Sequence, residues 1–176
     1  MKKVALISLI AITGLITASF ITETTTLQHD TEDGLKWYTD LDEANKISKE
    51  SGKPIFGFFT GSDWCGWCHK LEREVFQKDA FVEWANDEVV LLELDFPRKT
   101  KLPEDLAKQN RELQQAFKVT GYPTIWIFFA EKDPVTAHYN LTALGKLGYP
   151  SGAEKGKEEV KFLNNANAVL ANAEKK

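Results

Sequence analysis

Cysteine is almost missing from this chain: among 176 residues only Cys65 and Cys68 carry a thiol, three positions apart. A framework of disulfides is excluded, and a bridge between these two closes a loop too short to restrain much of the unfolded chain. With no second ligand pair at zinc spacing, a zinc ribbon or finger is excluded as well, and no metal is expected. The only methionine is Met1, so a methionine cannot serve as an axial iron ligand. Excess positive charge is also lacking. Lys and Arg number 22 against 26 Asp and Glu, a formal charge of -4, which leaves no field to recruit nucleic acid or an anionic membrane surface. Internal repeats and low-complexity tracts are absent too.

What is present suffices for one ordinary core, since 43% of the residues are hydrophobic and 11% aromatic. Lys2 and Lys3 precede an apolar run over residues 4–16, the pattern of an export signal. Residues 1–21 are therefore expected to be a signal peptide, cleaved near Thr17, Ala18 and Ser19 or retained as a membrane anchor. Residues 22–34, rich in Thr, Asp and Glu, have the composition of a flexible leader, and residues 35–176 form the domain. The expected location is the periplasm or the exterior, with no membrane contact once the signal is removed.

Within the domain, helix and strand patterns alternate, which predicts an α/β fold with helices covering a sheet. Leu41, Ala44, Ile47 and Ser48 have helical spacing, with Asp40 as cap and Gly52 as stop. Residues 54–59, 89–94 and 124–129 are short apolar runs of the kind that make buried strands, and residues 135–141 can return antiparallel after a turn. A helix broken near Lys78 and Asp79 follows the cysteines, and another begins at Pro103. Residues 98–101 have the composition of a solvated loop. The next glycine-containing stretch, with Gly145, Gly148 and Gly152, reads as irregular. Val160, Leu163, Ala166, Val169 and Leu170 predict a last helix lying on the sheet. The sum is a central mixed sheet of about four or five strands flanked by helices.

Trp64, Cys65, Gly66, Trp67 and Cys68 stand between a predicted strand and a predicted helix, the context in which C-x-x-C is a redox motif. Residues three apart share a helix face, so the two sulfurs can close and reopen a Cys65–Cys68 disulfide. At the first turn Cys65 faces unpaired N–H groups and the positive end of the helix dipole, which favour its thiolate. It is the expected nucleophile, and Cys68 the thiol that resolves the mixed disulfide. Ser62 or Asp63 is expected to cap this helix. His69 lies one turn beyond Cys65, where it can modulate the pKa of that thiol. Trp64 and Trp67 are candidates for an apolar docking rim.

The W-C-x-x-C sequence after a strand, followed by Gly121, Tyr122, Pro123 and Thr124 before a later strand, resembles the thioredoxin superfamily. The likeness runs over residues 35–173 and is strongest to bacterial exported thioredoxin-like proteins with a G-S-D-W-C-G-W-C sequence, here residues 61–68. It implies a thioredoxin-like fold, a thiol-disulfide oxidoreductase without cofactor, and a cis peptide at Tyr122–Pro123. By the same resemblance, Trp64, Gly66, Trp67, Gly121, Tyr122 and Pro123 contact substrate, with the Tyr122 backbone pairing to an extended chain. Protein thiols or disulfides and an upstream redox protein are the implied partners. Two departures stand out. The strand position that holds a buried acid in thioredoxin is Phe58 or Phe59 here, so Cys68 needs another route to lose its proton. Gly66 and Trp67 replace Gly-Pro between the cysteines, which leaves the direction of electron flow open.

Two readings from other classes remain at this level. Cys65 to His69 also satisfies C-x-x-C-H, the attachment sequence of c-type haem, with His69 as iron ligand. The fold can also serve as a non-catalytic module that holds extended peptides.

Overall fold

Six strands and five helices build the domain, described in a computed structural model over residues 29–30 and 34–173. The expected signal peptide over residues 1–21 lies outside the described residues, as does the leader apart from His29, Asp30 and Gly34. The strands are β1 (His29–Asp30), β2 (Lys36–Tyr38), β3 (Ile55–Thr60), β4 (Val90–Asp95), β5 (Thr124–Lys132) and β6 (Tyr139–Leu147). They are ordered β1-β2-β4-β3-β5-β6. β2, β4 and β3 run parallel; β5 and β6 are antiparallel, and the two-residue β1 pairs antiparallel at the far edge. Among the described residues no helix is long and apolar enough to cross a membrane.

Helix α1 (Leu41–Ser51) begins where Asp40 accepts the Glu43 N–H at 3.0 Å. It ends at Gly52, whose φ of 74° is a left-handed conformation that costs glycine little. Helix α2 (Gly66–Leu71) continues as a π-helical turn, Glu72–Phe76, and the chain breaks at Gln77 and Lys78 before α3 (Asp79–Glu88). Helix α4 (Glu104–Ala116) starts one residue later than expected, with Pro103 as the flanking residue. Helix α5 spans Glu158–Ala173.

Alternation along β3 and β4 divides the core in two. Phe56, Phe58 and Leu91 face one layer with Cys65, Cys68, Leu71, Phe76, Phe81 and Phe162, while Ile55, Phe59, Leu92 and Leu94 face the other with α1 and α4. The first layer is knitted by rings: Phe58 meets Phe76 edge-on at 5.1 Å, and Phe76 stacks on Phe81 at 4.6 Å.

Two elements depart from expectation. β6 occupies residues 139–147 rather than 135–141, and Gly145 lies inside it. A Cβ there would stand 2.7 Å from both methyls of Val169, so glycine marks the close approach of α5 to the sheet. On α5, Val160 is 49% exposed, whereas Phe162 is the residue driven into the core.

Candidate active site

β3 runs into Gly61, where any Cβ would fall 2.4 Å from the indole of Trp64. Glycine therefore lets Trp64 fold back over the turn. The Gly61 carbonyl accepts the N–H groups of Trp64 and Cys65 at 3.1 and 2.8 Å, which turns the chain into α2. Cys65 itself caps that helix: its Sγ accepts the Cys68 N–H at 3.2 Å. The expectation that Ser62 or Asp63 caps it is corrected, because both side chains are engaged across the turn with the segment after β4. Ser62 donates to Asp95 through its N–H at 2.8 Å and its hydroxyl at 2.6 Å. Asp63 accepts the N–H groups of Arg98, Lys99 and Thr100 at 3.0, 2.5 and 3.4 Å. These bonds, that of Arg98 foremost, hold the Asp63 carboxyl below its ordinary pKa. The loop over residues 98–101 is exposed, as its composition implied, but it is pinned to the turn that carries the cysteines.

Cys65 and Cys68 are joined in a disulfide, with S–S 2.10 Å and Cα–Cα 5.2 Å. Cys68 is fully buried and Cys65 is 5% exposed. Cys65 is thus the less buried of the two, at the edge of the apolar layer.

Around this edge the structure brings together most of the residues singled out from the sequence. The Tyr122–Pro123 peptide is cis. The Tyr122 ring stands edge-on to Trp64 at 5.6 Å, and its hydroxyl accepts from Gln114 at 2.6 Å. Trp64 is fixed on three sides, since its indole N–H also donates to the Phe96 carbonyl at 2.8 Å and the Arg98 guanidinium lies 3.7 Å from its ring centroid. Trp67, 57% exposed, leans edge-on against Tyr149 at 5.1 Å. Lys70 Nζ sits 5.1 Å from the Trp67 ring and 4.8 Å from the Tyr149 ring. Gly66 and Gly121 are exposed, and the Gly121 carbonyl accepts from the Thr124 hydroxyl at 2.8 Å. The His69 Nε2 pairs with the Ser62 carbonyl at 2.7 Å, so this ring braces the turn. A c-type haem would need that nitrogen on iron and both sulfurs on its vinyl-derived carbons, and the residues as arranged do not fit one.

Four residues of the site escaped the sequence reading: Glu93, Asp95, Phe96 and Arg98. Glu93 alone could have been flagged, as an acid inside an otherwise apolar strand run. Burial first, then the negative charges of Asp95 and Glu72, push its carboxyl up to about 7.

A model described as a thioredoxin-like domain matches residues 41–139, more than half of the chain. The chain belongs to this family. Solved structures agree: that of a DsbH oxidoreductase superposes with a TM-score of 0.63 at 30% identity, covering 78% of this chain and 85% of that one. A thioredoxin from Thermus thermophilus, at 17% identity and a TM-score of 0.50, shares the fold over 76% of this thioredoxin-like chain. In sequence, the chain is 43% identical over 89 residues to the disulfide bond reductase DsbH of Chlamydia pneumoniae. It is 27% identical over 124 residues to the thioredoxin-related protein DsbJ of the same organism. These matches span 51% and 70% of this chain but only 54% of DsbH and 34% of DsbJ.

Proposed function

We propose that this thioredoxin-like domain is a thiol-disulfide oxidoreductase acting on extended protein segments outside the cytosol, with Cys65 and Cys68 as its working pair. The observation that carries the reading is the difference between the two sulfurs: Cys65 caps α2 at the surface edge, while Cys68 is sealed behind it. In the reduced protein the Cys65 thiolate attacks a substrate disulfide, forming a mixed disulfide and releasing one substrate thiolate, which takes a proton from water. Cys68, as its proton leaves, then attacks Cys65 Sγ. The Cys65–substrate bond breaks, the second substrate sulfur departs as a thiol, and the Cys65–Cys68 disulfide forms. Two electrons pass from the protein to the substrate. Each step is reversible, and the direction depends on the potential of the pair.

We read the physiological direction as reductive, a reading supported by the name disulfide bond reductase that DsbH carries. Exposed Gly121 and half-buried Tyr122, whose ring meets Trp64, together with exposed Trp67 against Tyr149, supply a platform for an extended chain. An upstream redox protein returns the pair to the dithiol. Export rests on Lys2, Lys3 and the apolar run that follows.

Equilibrium titration of the pair against dithiothreitol or glutathione tests the assignment. A potential near about -270 mV supports a reductant, and one near about -120 mV would reverse the direction to disulfide donation. Absence of any reversible two-electron couple would overturn the assignment itself.

A further inference from the structure

Arg98 is held at both ends beside the cysteine turn. Its backbone N–H donates to the two oxygens of Asp63 at 3.0 and 3.1 Å, and its guanidinium lies 3.7 Å from the centroid of the Trp64 ring. Trp64 immediately precedes Cys65, and its ring stands edge-on to Tyr122, the residue that bears the cis peptide. Arg98, Trp64 and Tyr122 therefore make one continuous line of contact, from the exposed 98–100 loop to the platform beside the disulfide. Stacking on an indole orients a guanidinium and leaves the N–H donors around its edge open to a further partner.

No acid among the described residues answers that charge. The ion pairs there are Lys70 with Glu74, Lys108 with Glu112 and Lys132 with Asp42, and the Arg98 guanidinium accordingly has its ring contact but no carboxylate. The acids of the same turn are engaged by neutral donors: Asp63 by three backbone N–H groups, and Asp95 by the N–H and hydroxyl of Ser62. The side-chain charge that acts on the Asp63 carboxyl is that of Lys99, whereas Arg98 reaches it through the backbone. Lys70, the cation over the other tryptophan of the motif, differs. It lies over the rings of Trp67 and Tyr149, but Glu74 stands 3.8 Å from its Nζ and also accepts the Tyr149 hydroxyl at 2.5 Å. Of the two cations stacked on the motif's tryptophans, Arg98 is the one with its charge unspent.

We propose that Arg98 selects the substrate by pairing with an Asp or Glu carboxylate near the substrate's cysteine, so that the preferred substrates are extended acidic peptide segments. The proposal rests on the redox reading of the cysteine pair and extends it to a substrate class. A guanidinium's planar fork of donors matches the two oxygens of a carboxylate. An extended chain advances about 3.3 Å per residue, so a carboxylate about two or three positions from the cysteine is far enough along to cross the Trp64 ring. The whole chain carries a formal charge of -4, which sets a general repulsion against acidic partners. A preference for them therefore reports a placed cation and not the overall field. Lys70, already answered by Glu74, adds little to it.

The test compares disulfide-linked peptides that are identical except for Glu or Gln flanking the cysteine. Reduced full-length protein is mixed with each, and acid quench with mass spectrometry follows closure of the Cys65–Cys68 disulfide over a range of peptide concentrations. The wild type is expected to favour the Glu peptide by roughly threefold to fivefold in kcat/KM, the scale of an exposed ion pair. The difference should lie in KM, with kcat unchanged, as for an interaction made equally in the bound and transition states. The ratio between peptides is the readout, because removing the guanidinium also frees the Trp64 ring. Arg98→Gln should abolish the preference, Arg98→Lys should restore part of it, and Arg98→Glu should turn it toward Lys-bearing peptides. Lys99→Gln removes the same unit charge from the next residue and should leave the ratio intact. No preference in the wild type, or an equal loss in Lys99→Gln and Arg98→Gln, would overturn the role of Arg98 and leave the redox assignment standing. Glutathione disulfide and its carboxyl ester form a second arm: an Arg98-dependent preference for the free acid as large as that for the Glu peptide would assign the guanidinium to small disulfides and overturn the peptide class. A wild-type protein that no peptide oxidises would overturn the redox assignment, and the proposal with it.

Discussion

The backbone N–H of Cys68 points at the sulfur of Cys65, 3.2 Å away, so the helix is capped by the atom that the exchange chemistry would ionise. On reduction that N–H and the start of α2 favour the Cys65 thiolate over the thiol. The thiol of Cys65 is expected to titrate below the ordinary value of about 8.5, while Cys68 stays unreactive to small alkylating agents. The pH dependence of iodoacetamide labelling, read by peptide mass spectrometry, checks both. Labelling of Cys68 before Cys65 would contradict the assignment of the nucleophile.

Glu93 makes the oxidised protein sensitive to mild alkali. Its carboxyl holds a proton to about 7 in the folded chain against 4.5 as the reference value, so folding favours the protonated form. Native protein binds more protons than unfolded chain in that interval, and stability therefore falls as pH rises from about 4.5 through about 7. The fall should amount to no more than roughly 3 kcal/mol, and Glu93→Gln should remove most of it. Urea unfolding at pH 5 and pH 8 measures the difference. Equal slopes for the two proteins would refute the linkage.

Asp63 should act as a pin for the Trp64 platform. Replacing it with Ala removes the acceptor for three N–H groups of the 98–100 loop. Amide exchange in that loop is expected to quicken, and KM for a disulfide peptide to rise more than kcat falls, because Arg98 no longer stays on the Trp64 ring. The Asp63 carboxyl is depressed by those same N–H groups. In the wild type the pin is then complete above the ordinary carboxyl range and is lost only as pH falls through the lowered value. Unchanged exchange in Asp63→Ala would dismiss the pin.

Gly145 and Val169 form a size-matched contact between β6 and α5. Gly145→Ala should destabilise the domain by about 1–3 kcal/mol, since the new methyl meets both Val169 methyls at 2.7 Å. Adding Val169→Ala should recover part of that loss. A double-mutant cycle in urea gives the coupling, and strict additivity would show that α5 simply shifts.

The cysteine motif was legible because all its members lie within a few residues and depend only on local helix geometry. The helix limits at Asp40 and Gly52 were legible for the same reason. Glu93 stood out as an acid in an apolar run, but which face of β4 it occupies was not legible, because that follows only from the pairing of Phe58 with Glu93. β2 is three residues long, too short for a periodic pattern to show. Choosing Phe162 rather than Val160 for the core required knowing how α5 sits over the sheet, and the apolar stripe alone admits both.

The bonds from Ser62 and Asp63 reach 33 to 37 positions down the chain, to residues that follow β4. A chain that emerges from its amino end exposes both cysteines well before those anchors arrive. Until β4 takes its place beside β3, Ser62 and Asp63 lack their partners, and the Trp64 ring lacks the Phe96 carbonyl and the Arg98 guanidinium that fix it. The platform beside Cys65 is therefore completed only when the parallel strands have met, although the cap that favours the Cys65 thiolate is local to α2.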